Sequence, residues 1–203
     1  MDPISKIRGR MVPIPENNIT TDTITPIRFL KMIQRDNQRL IQALFHDWRF
    51  HEDGTLKPDF PMNRPEYQGA TILLAGDNFG CGSSRESAPW AVLASGFKAV
   101  ISTSIADIFR SNSLKNGLIP VIVNAETHKE LLDLAMARPQ SEIIIDLQEQ
   151  TISWQHSGEP IKSAKFPIDP FSKTCLLRGV DELGYILRFE EEITAFEKKH
   201  LHD

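Results

Sequence analysis

Gly76-Asp-Asn-Phe-Gly-Cys-Gly-Ser-Ser-Arg-Glu-Ser-Ala-Pro-Trp90 is a glycine-rich run that leaves a short apolar segment, residues 70–75, and enters a helix. Strand, glycine-rich turn and helix in that order make the repeating unit of an α/β fold with a buried sheet. Downstream the alternation continues. Residues 98–102 and 118–123 read as two further strands, separated by a helix over about 106–116 that stops at Gly117. Thr127 and Glu130 have capping-box spacing, Leu131, Leu132, Leu134 and Ala135 form an apolar stripe, and Pro139 ends that helix. Residues 143–147 and 151–154 read as a hairpin, and Asp169-Pro170 as the cap and first residue of a helix that ends at Gly179. The final stretch, 190–203, reads as a charged and exposed end.

Upstream, an extended stretch over residues 9–14 ends in Pro13, Pro15 and the polar run Glu16-Asn17-Asn18, and a turn-rich stretch over 19–26 follows. Between Asp36 and Trp48, Leu40, Ile41, Leu44, Phe45 and Trp48 recur at helical spacing with Asp36 placed to cap, which predicts one amphipathic helix. Residues 52–68 hold Gly54, Pro58, Pro61 and Pro65 and no period, so they read as a long loop. No repeat or low-complexity tract interrupts the chain, which points to one domain over 1–203.

With 203 residues, 40% of them hydrophobic and 25% charged, the chain can build a core without disulfide or metal staples. The balance of 23 Lys plus Arg against 27 Asp plus Glu gives a net charge of -4, which argues against indiscriminate nucleic-acid binding. The N-terminal MDPISKIRGR lacks the apolar core of a signal peptide, and no apolar run approaches the roughly 18 residues of a membrane span. The expectation is a cytoplasmic protein that engages neither membrane nor nucleic acid. Two cysteines, Cys81 and Cys175, are too few for a disulfide framework or for a four-thiolate cluster site of the chain's own.

The glycine-rich run is not a dinucleotide fingerprint, because Arg85 stands where the third small residue would be needed, and it lacks the Gly-Lys-Ser/Thr ending of a P-loop. Nor does it contain a G-x-S-x-G nucleophile elbow. What it does contain is glycines that let backbone approach a ligand, N–H groups near a helix start, two hydroxyls and an arginine suited to bidentate capture of a carboxylate. These imply a small anionic ligand. The plain alternative is that Ser83 and Glu86 form a capping box and Arg85 is an ordinary surface charge. Pro89 weighs against it, since a helix beginning at Ser84 would carry proline in its interior; a start nearer Ala88 leaves residues 83–86 as a shaped loop.

Gly80-Cys-Gly-Ser-Ser-Arg-Glu86, followed by Ala88-Pro-Trp-Ala91, Ala106-Asp-Ile-Phe109 and Asn112-Ser113, resembles the small subunits of 3-isopropylmalate dehydratase in the aconitase superfamily. Thr21-Asp22-Thr23-Ile24 and Pro26-Ile-Arg-Phe-Leu30 fit that family's opening motif, and Asp47-Trp-Arg-Phe50 and Tyr67-Gln-Gly-Ala70 fit its middle. The resemblance implies an aconitase-type swivelling three-layer β/β/α domain on a separate chain. It also implies a large subunit as partner, carrying a 4Fe-4S cluster, and isomerisation of 2-isopropylmalate to 3-isopropylmalate through isopropylmaleate in leucine biosynthesis. In such enzymes an iron with an open position acts as a Lewis acid, and the small domain supplies the group that moves the proton.

By motif match that group is Ser83, with Asp22 in orienting or electrostatic support. Ser84 and Arg85 match positions that hold a substrate carboxylate, and Arg28 is the best match for the superfamily's second substrate arginine. Lys31 and Met32 lie where the family has its substrate-discriminating loop, so they face the γ-substituent on this reading, with loop packing as the equal alternative. One departure stands out: Ser87 replaces the histidine of the usual Ser-Arg-Glu-His string. Other candidates rank lower. Cys81 has no histidine fixed beside it, and His46 and His51 are off a common helix face with no carboxylate to complete a metal triad. His200 and His202 belong to the charged end, and Trp48, Trp90 and Trp154 read as core or interface anchors. Two rivals remain open at this point: a homoaconitase or citraconate-type small subunit, and a non-catalytic dicarboxylate-binding module.

Overall fold

Strand β1 (Lys6–Ile14) belongs to two halves of one sheet, because Lys6–Arg10 run antiparallel to residues 142–146 while Met11–Ile14 run parallel to residues 72–75. The computed structural model describes residues 1–30, 36–156 and 158–200. Four short helices follow β1: α1 (Thr21–Ile24), α2 (Ile27–Leu30), α3 (Asn37–Ala43) and α4 (His46–Arg49). Strands and helices then alternate as β2 (Ile72–Ala75), α5 (Ser87–Ala94), β3 (Ala99–Ser102), α6 (Asp107–Asn116), β4 (Ile119–Ile122) and α7 (Ala125–Ala137). The chain continues through β5 (Glu142–Asp146), β6 (Thr151–Trp154) and β7 (Lys162–Lys165) into α8 (Pro170–Arg178), α9 (Glu182–Ile186) and α10 (Glu190–His200).

The sheet order is β4-β3-β2-β1-β5-β6-β7, parallel from β1 to β4 and antiparallel from β1 through β7. The two halves have different sequences for a physical reason. In the parallel half both faces are covered, so Ile72, Leu73, Leu74 and Ala75 are all fully buried and read as an unbroken apolar run. Leu73 and Ala75 face one cluster with Leu40, Ala43, Ala88, Ala91 and Phe109, under α3, α5 and α6. Ile72 and Leu74 face the other, with Leu131 and Leu134 of α7 and with Ile143, Ile145 and Ile152 of the antiparallel half, which therefore curls over the parallel half. Each such buried Leu or Ile contributes about 1.5–3 kcal/mol. Helices, parallel strands and antiparallel strands form three layers, as the β/β/α expectation has it.

Local signals are realised where no tertiary contact competes with them. Asp36 caps α3 by accepting from the Gln38 N–H, Asp169 caps α8 with Pro170 first in the helix, and Gly117 and Gly179 close α6 and α8 in left-handed conformation. Two expectations need correction. The single helix over 36–48 breaks after Ala43, because Phe45 takes φ 48, sends its N–H to the Ile24 carbonyl at 2.9 Å and stacks on Trp48, trading helix continuity for burial. The cap of α7 is Asn124, whose side chain accepts from the Thr127 N–H at 2.8 Å, while Glu130 pairs with Lys162. The end over 190–203 is exposed but ordered as α10 up to His200, with Glu190, Glu191 and Glu192 at its N-terminus and Lys198, Lys199 and His200 at its C-terminus, the arrangement the helix dipole favours. Edge strand β7 has no counterpart in the sequence reading.

Candidate active site

Strands β1, β2 and β3 are parallel neighbours, so the segments that leave their C-terminal ends meet. The β2 segment, residues 76–86, lies between the other two. Gly80 donates to the Ile19 carbonyl at 2.7 Å and Thr21 donates to the Cys81 carbonyl at 2.8 Å on one side. On the other, Phe79 donates to Ser104 at 3.1 Å and accepts from Ala106 at 2.9 Å. Two glycines make the fit possible. A Cβ on Gly76 would lie 2.3 Å from the Glu16 carbonyl, and one on Gly80, at φ +76, would lie 2.4 Å from the Phe109 ring.

Asp77 holds the base of this loop. Its carboxylate accepts from the Ser104 hydroxyl at 2.7 Å and the Thr103 hydroxyl at 2.8 Å, its N–H donates to the Asn17 side chain at 2.7 Å, and its carbonyl accepts from Asn18 at 2.8 Å. The two hydroxyls hold the Asp77 carboxyl below the usual carboxylate range, Ser104 contributing most.

Beyond that base, Ser83 and Ser84 are exposed and Arg85 turns back under them. The Thr21 hydroxyl donates to the Ser83 carbonyl at 2.9 Å, which fixes the backbone under the Ser83 hydroxyl. The Arg85 side chain is only 9% exposed and forms a bidentate pair with Asp22, whose side chain is 55% exposed. Arg85 Nη2 reaches Asp22 Oδ2 at 2.9 Å and Ser83 Oγ at 3.3 Å, while Nη1 reaches Asp22 Oδ1 and the Thr25 carbonyl, the latter at 3.3 Å. Hydrogen bonding from Arg85 holds the Asp22 carboxyl below its ordinary range. The geometry brings together Ser83, Arg85 and Asp22 as the sequence reading expects, and corrects one point: the bidentate fork of Arg85 is not open to a ligand but already filled by Asp22.

The capping-box alternative for Ser83 and Glu86 is not realised. Glu86 accepts from the Asn116 side chain at 3.1 Å, Asn116 in turn accepts from Trp90 Nε1 at 2.9 Å, and α5 begins at Ser87 without a side-chain cap. Pro89 therefore sits in the first turn of α5, where proline is tolerated. The Ser87 hydroxyl is buried and has no hydrogen-bond partner among the described residues.

Arg28 lies near the same site but in a second ion pair. It binds Asp47 in bidentate fashion, with Nη1 on Oδ2 at 3.1 Å, and both side chains are more than half exposed. Arg28, Asp47 and Asp22 line one cavity of about 380 Å³ with Thr23, Pro26, Ile27 and Trp48. Lys31 and Met32 lie outside the described residues. Cys81 contributes its carbonyl rather than its thiol, and His46 packs its ring between Phe29 and Phe50 at 4.7 and 4.9 Å. Trp154 is buried in the cluster that holds Ile72 and Leu74, while Trp48 and Trp90 pack against the cluster on the opposite face of the sheet. A further cavity of about 540 Å³ lies between α6 and α8 and holds none of the expected site residues.

Thr21 and Asp77 stand in the quoted motifs but their roles, like Thr25, Thr103 and Ser104 altogether, were not read from the sequence, as their partners stand 26 to 62 residues away. Arg49 is another such residue. Mostly buried, it donates to the Ile41 and Leu44 carbonyls at 2.8 and 3.3 Å and ties the segment that carries Asp47.

The Aconitase C-terminal domain family matches residues 1–126. Over nearly the whole length, the chain is 52% identical to the 3-isopropylmalate dehydratase small subunit of Roseiflexus castenholzii, covering 98% of this chain and 95% of that protein. It is also 52% identical to the small subunit of the same name from Anaeromyxobacter sp. strain K, covering 97% and 98%. Among solved structures it is similar to 3-isopropylmalate dehydratase from Methanocaldococcus jannaschii, with a TM-score of 0.63, 27% identity, and coverage of 95% of this chain and 99% of that one.

Proposed function

The chain belongs to the aconitase C-terminal domain family and, within it, to the 3-isopropylmalate dehydratase small subunits, and from that premise we propose how its residues take part in the isomerisation. It is a subunit of a hydro-lyase that converts 2-isopropylmalate to 3-isopropylmalate through isopropylmaleate, in leucine biosynthesis; the homoaconitase-type and binding-module readings are not favoured. The observation that carries the site assignment is the exposed Ser83 hydroxyl held 3.3 Å from the guanidinium of a buried arginine.

Ser83 Oγ takes the proton from carbon 3 of 2-isopropylmalate as the C2–O bond breaks and the hydroxyl leaves, a departure that a Lewis acid on the partner would assist, and it returns the proton to carbon 2 when water adds at carbon 3. A serine hydroxyl is a poor base unless its alkoxide is stabilised, and Arg85 Nη2 supplies that stabilisation from a position fixed by Asp22 and the Thr25 carbonyl. The Thr21 hydroxyl, by gripping the Ser83 carbonyl, keeps Oγ from swinging away. Ser84 and Arg85 take one substrate carboxylate and Arg28 the other, across the 380 Å³ cavity that Arg28 and Asp22 share.

Among the described residues no three His, Cys, Asp or Glu side chains converge to hold a metal, and the two cysteines sit in different elements, the glycine-rich loop and α8. The donor set does not fit a 4Fe-4S cluster on this chain. We therefore place the cluster on the large subunit, the partner of this chain. No helix among the described residues is long and apolar enough to cross a membrane; we place the enzyme in the cytoplasm, as one domain over residues 1–203.

The test is an anaerobic dehydratase assay on both isopropylmalates, with this chain alone, with a cluster-loaded large subunit alone, and with the two mixed. Turnover is expected only in the mixture, and Ser83→Ala is expected to lower kcat by about 10²–10⁴ while the mixture still binds substrate. Full activity of Ser83→Ala removes the base assignment; an inactive mixture of two chains that do bind each other removes the substrate assignment.

A further inference from the structure

A guanidinium carries five N–H donors, and four of those on Arg85 are already committed. Nη1 serves Asp22 and the Thr25 carbonyl, Nη2 serves Asp22 and Ser83 Oγ, and among the described residues Nε has no partner. A substrate carboxylate cannot enter that fork while Asp22 fills it. The two partners differ in freedom, with the arginine 9% and the aspartate 55% exposed. Arg85 is further tied to a backbone carbonyl, whereas Asp22 stands on a four-residue helix at the edge of the 380 Å³ cavity. The carboxylate is the partner that can leave. Arg28 contrasts with this: Asp47 uses two of its five donors, so a ligand can add there with the pair intact.

We propose that substrate binds Arg85 by carboxylate exchange, with Asp22 as a resident carboxylate that the substrate displaces. One substrate carboxylate takes the two hydrogens that Asp22 releases, Asp22 turns into the adjoining cavity, and the outer hydrogens stay on Thr25 and Ser83. The hydroxyl of Ser83 thus keeps its stabilising contact throughout. In the substrate-free chain the arginine is never an unpaired cation, so a lone anion gains little by entering. A ligand with a second carboxylate for Arg28 gains enough to complete the exchange. The inference rests on the reading that Arg85 holds a substrate carboxylate.

The experiment uses the assembled two-chain enzyme and isopropylsuccinate, which has the substrate skeleton but no hydroxyl to lose, as a competitive inhibitor. In Asp22→Asn the neutral amide competes less well for the fork, so the inhibition constant is expected to fall about three- to tenfold. At the same time kcat falls, because the product is a dicarboxylate held in the same fork and leaves more slowly when Asp22 no longer competes for it. Opposite movement of the two quantities is the signature; a residue that only anchored Arg85 would worsen both. An inhibition constant unchanged or raised in Asp22→Asn overturns the exchange. Asp22→Ser removes the charge without an amide and reads the same sign if the asparagine variant fails to assemble. Arg85→Gln separates the two levels of the argument. If it weakens isopropylsuccinate tenfold or more while the Asp22 variants do not tighten it, the exchange is wrong and the site reading stands. If it leaves isopropylsuccinate unaffected, the site reading itself falls and takes the exchange with it.

Discussion

Replacing Gly80 with alanine perturbs the site through one carbon atom, and the cost can be worked from two independent features. At φ +76 a non-glycine residue pays about 1–2 kcal/mol for the left-handed conformation. The added Cβ would also lie 2.4, 2.6 and 2.8 Å from three carbons of Phe109, a residue almost fully buried and packed edge-on against Phe79 at 5.1 Å. Phe109 must move within a filled core, an overpacking cost of about 1–3 kcal/mol. The sum, about 2–5 kcal/mol, corresponds to a fall in Tm of about 10 °C for a chain of this size. Urea denaturation and thermal melting of Gly80→Ala would read it directly. The ring's part is separable: in a Phe109→Ala background the contacts with Cγ and Cδ2 go while that with Cβ stays, so the double-mutant cycle should show a coupling of about 1–2 kcal/mol. A Tm loss under about 3 °C, or additive effects of the two changes, would refute the claim that the loop is seated on Phe109.

Three further outcomes are expected. Arg49→Met should destabilise the chain by about 1–3 kcal/mol in urea, because the Ile41 and Leu44 carbonyls lose their donor; an unchanged midpoint would mean those carbonyls find water. Asp77, whose carboxyl is held low by the Ser104 and Thr103 hydroxyls, contributes stability that is present above its unfolded value of about 3.9 and lost as pH falls through the folded value. Urea midpoints measured from neutral pH down to about 2.5 should therefore fall less steeply on the acid side for Asp77→Asn, the residual slope coming from Asp22, Asp47, Asp146 and Asp169, and parallel curves would exclude the contribution. Ser87→Ala removes a buried hydroxyl that has no partner among the described residues, so it should leave stability within about 0.5 kcal/mol or raise it by up to about 1 kcal/mol. A loss of more than about 1 kcal/mol would reveal a bond to that hydroxyl in the assembled enzyme.

What the sequence disclosed depended on the distance over which each decision was made. The apolar run over 70–75 announced a buried strand, and Asp36, Gly117, Asp169-Pro170 and Gly179 announced helix ends, because each acts on groups within a few residues. Phe45 could not be read that way: its helical spacing is intact, and the break comes from a hydrogen bond to Ile24 and a core position beside Trp48. Asn124 and Thr127 are both competent caps; Asn124 takes the position, and Glu130 pairs with Lys162 instead of closing a capping box on Thr127. Strand β7 reads Lys-Ser-Ala-Lys because it is an exposed edge, where charge protects against further pairing and apolar alternation is not required. At the site, the glycine-rich loop and Arg85 were legible as a short motif, and Asp22 through its own motif. The filled state of the Arg85 fork was not, since it depends on residues 60 and 63 positions away.

The same topology that made the site hard to read explains why it is rigid on one side and open on the other. Three parallel strands deliver three loops to one end of the sheet, and backbone hydrogen bonds between those loops are satisfied before any ligand arrives. The groups that hold the loop therefore lie inward: Arg85 beneath the serines, the Phe109 ring beneath Gly80, and the Ser104 hydroxyl against Asp77. Of those assigned to substrate, Ser83, Ser84 and Arg28 are left exposed, and Arg85 serves both sides from its inward position. A site completed by another chain needs this asymmetry, because an error of about 1 Å in the placement of a reacting group can cost about 10² in rate and docking cannot correct a loop that moves by more. The buried arginine and its carbonyl partner fix where Ser83 must be, and the exposed, displaceable carboxylate of Asp22 is the element left free to respond when substrate and partner close over it.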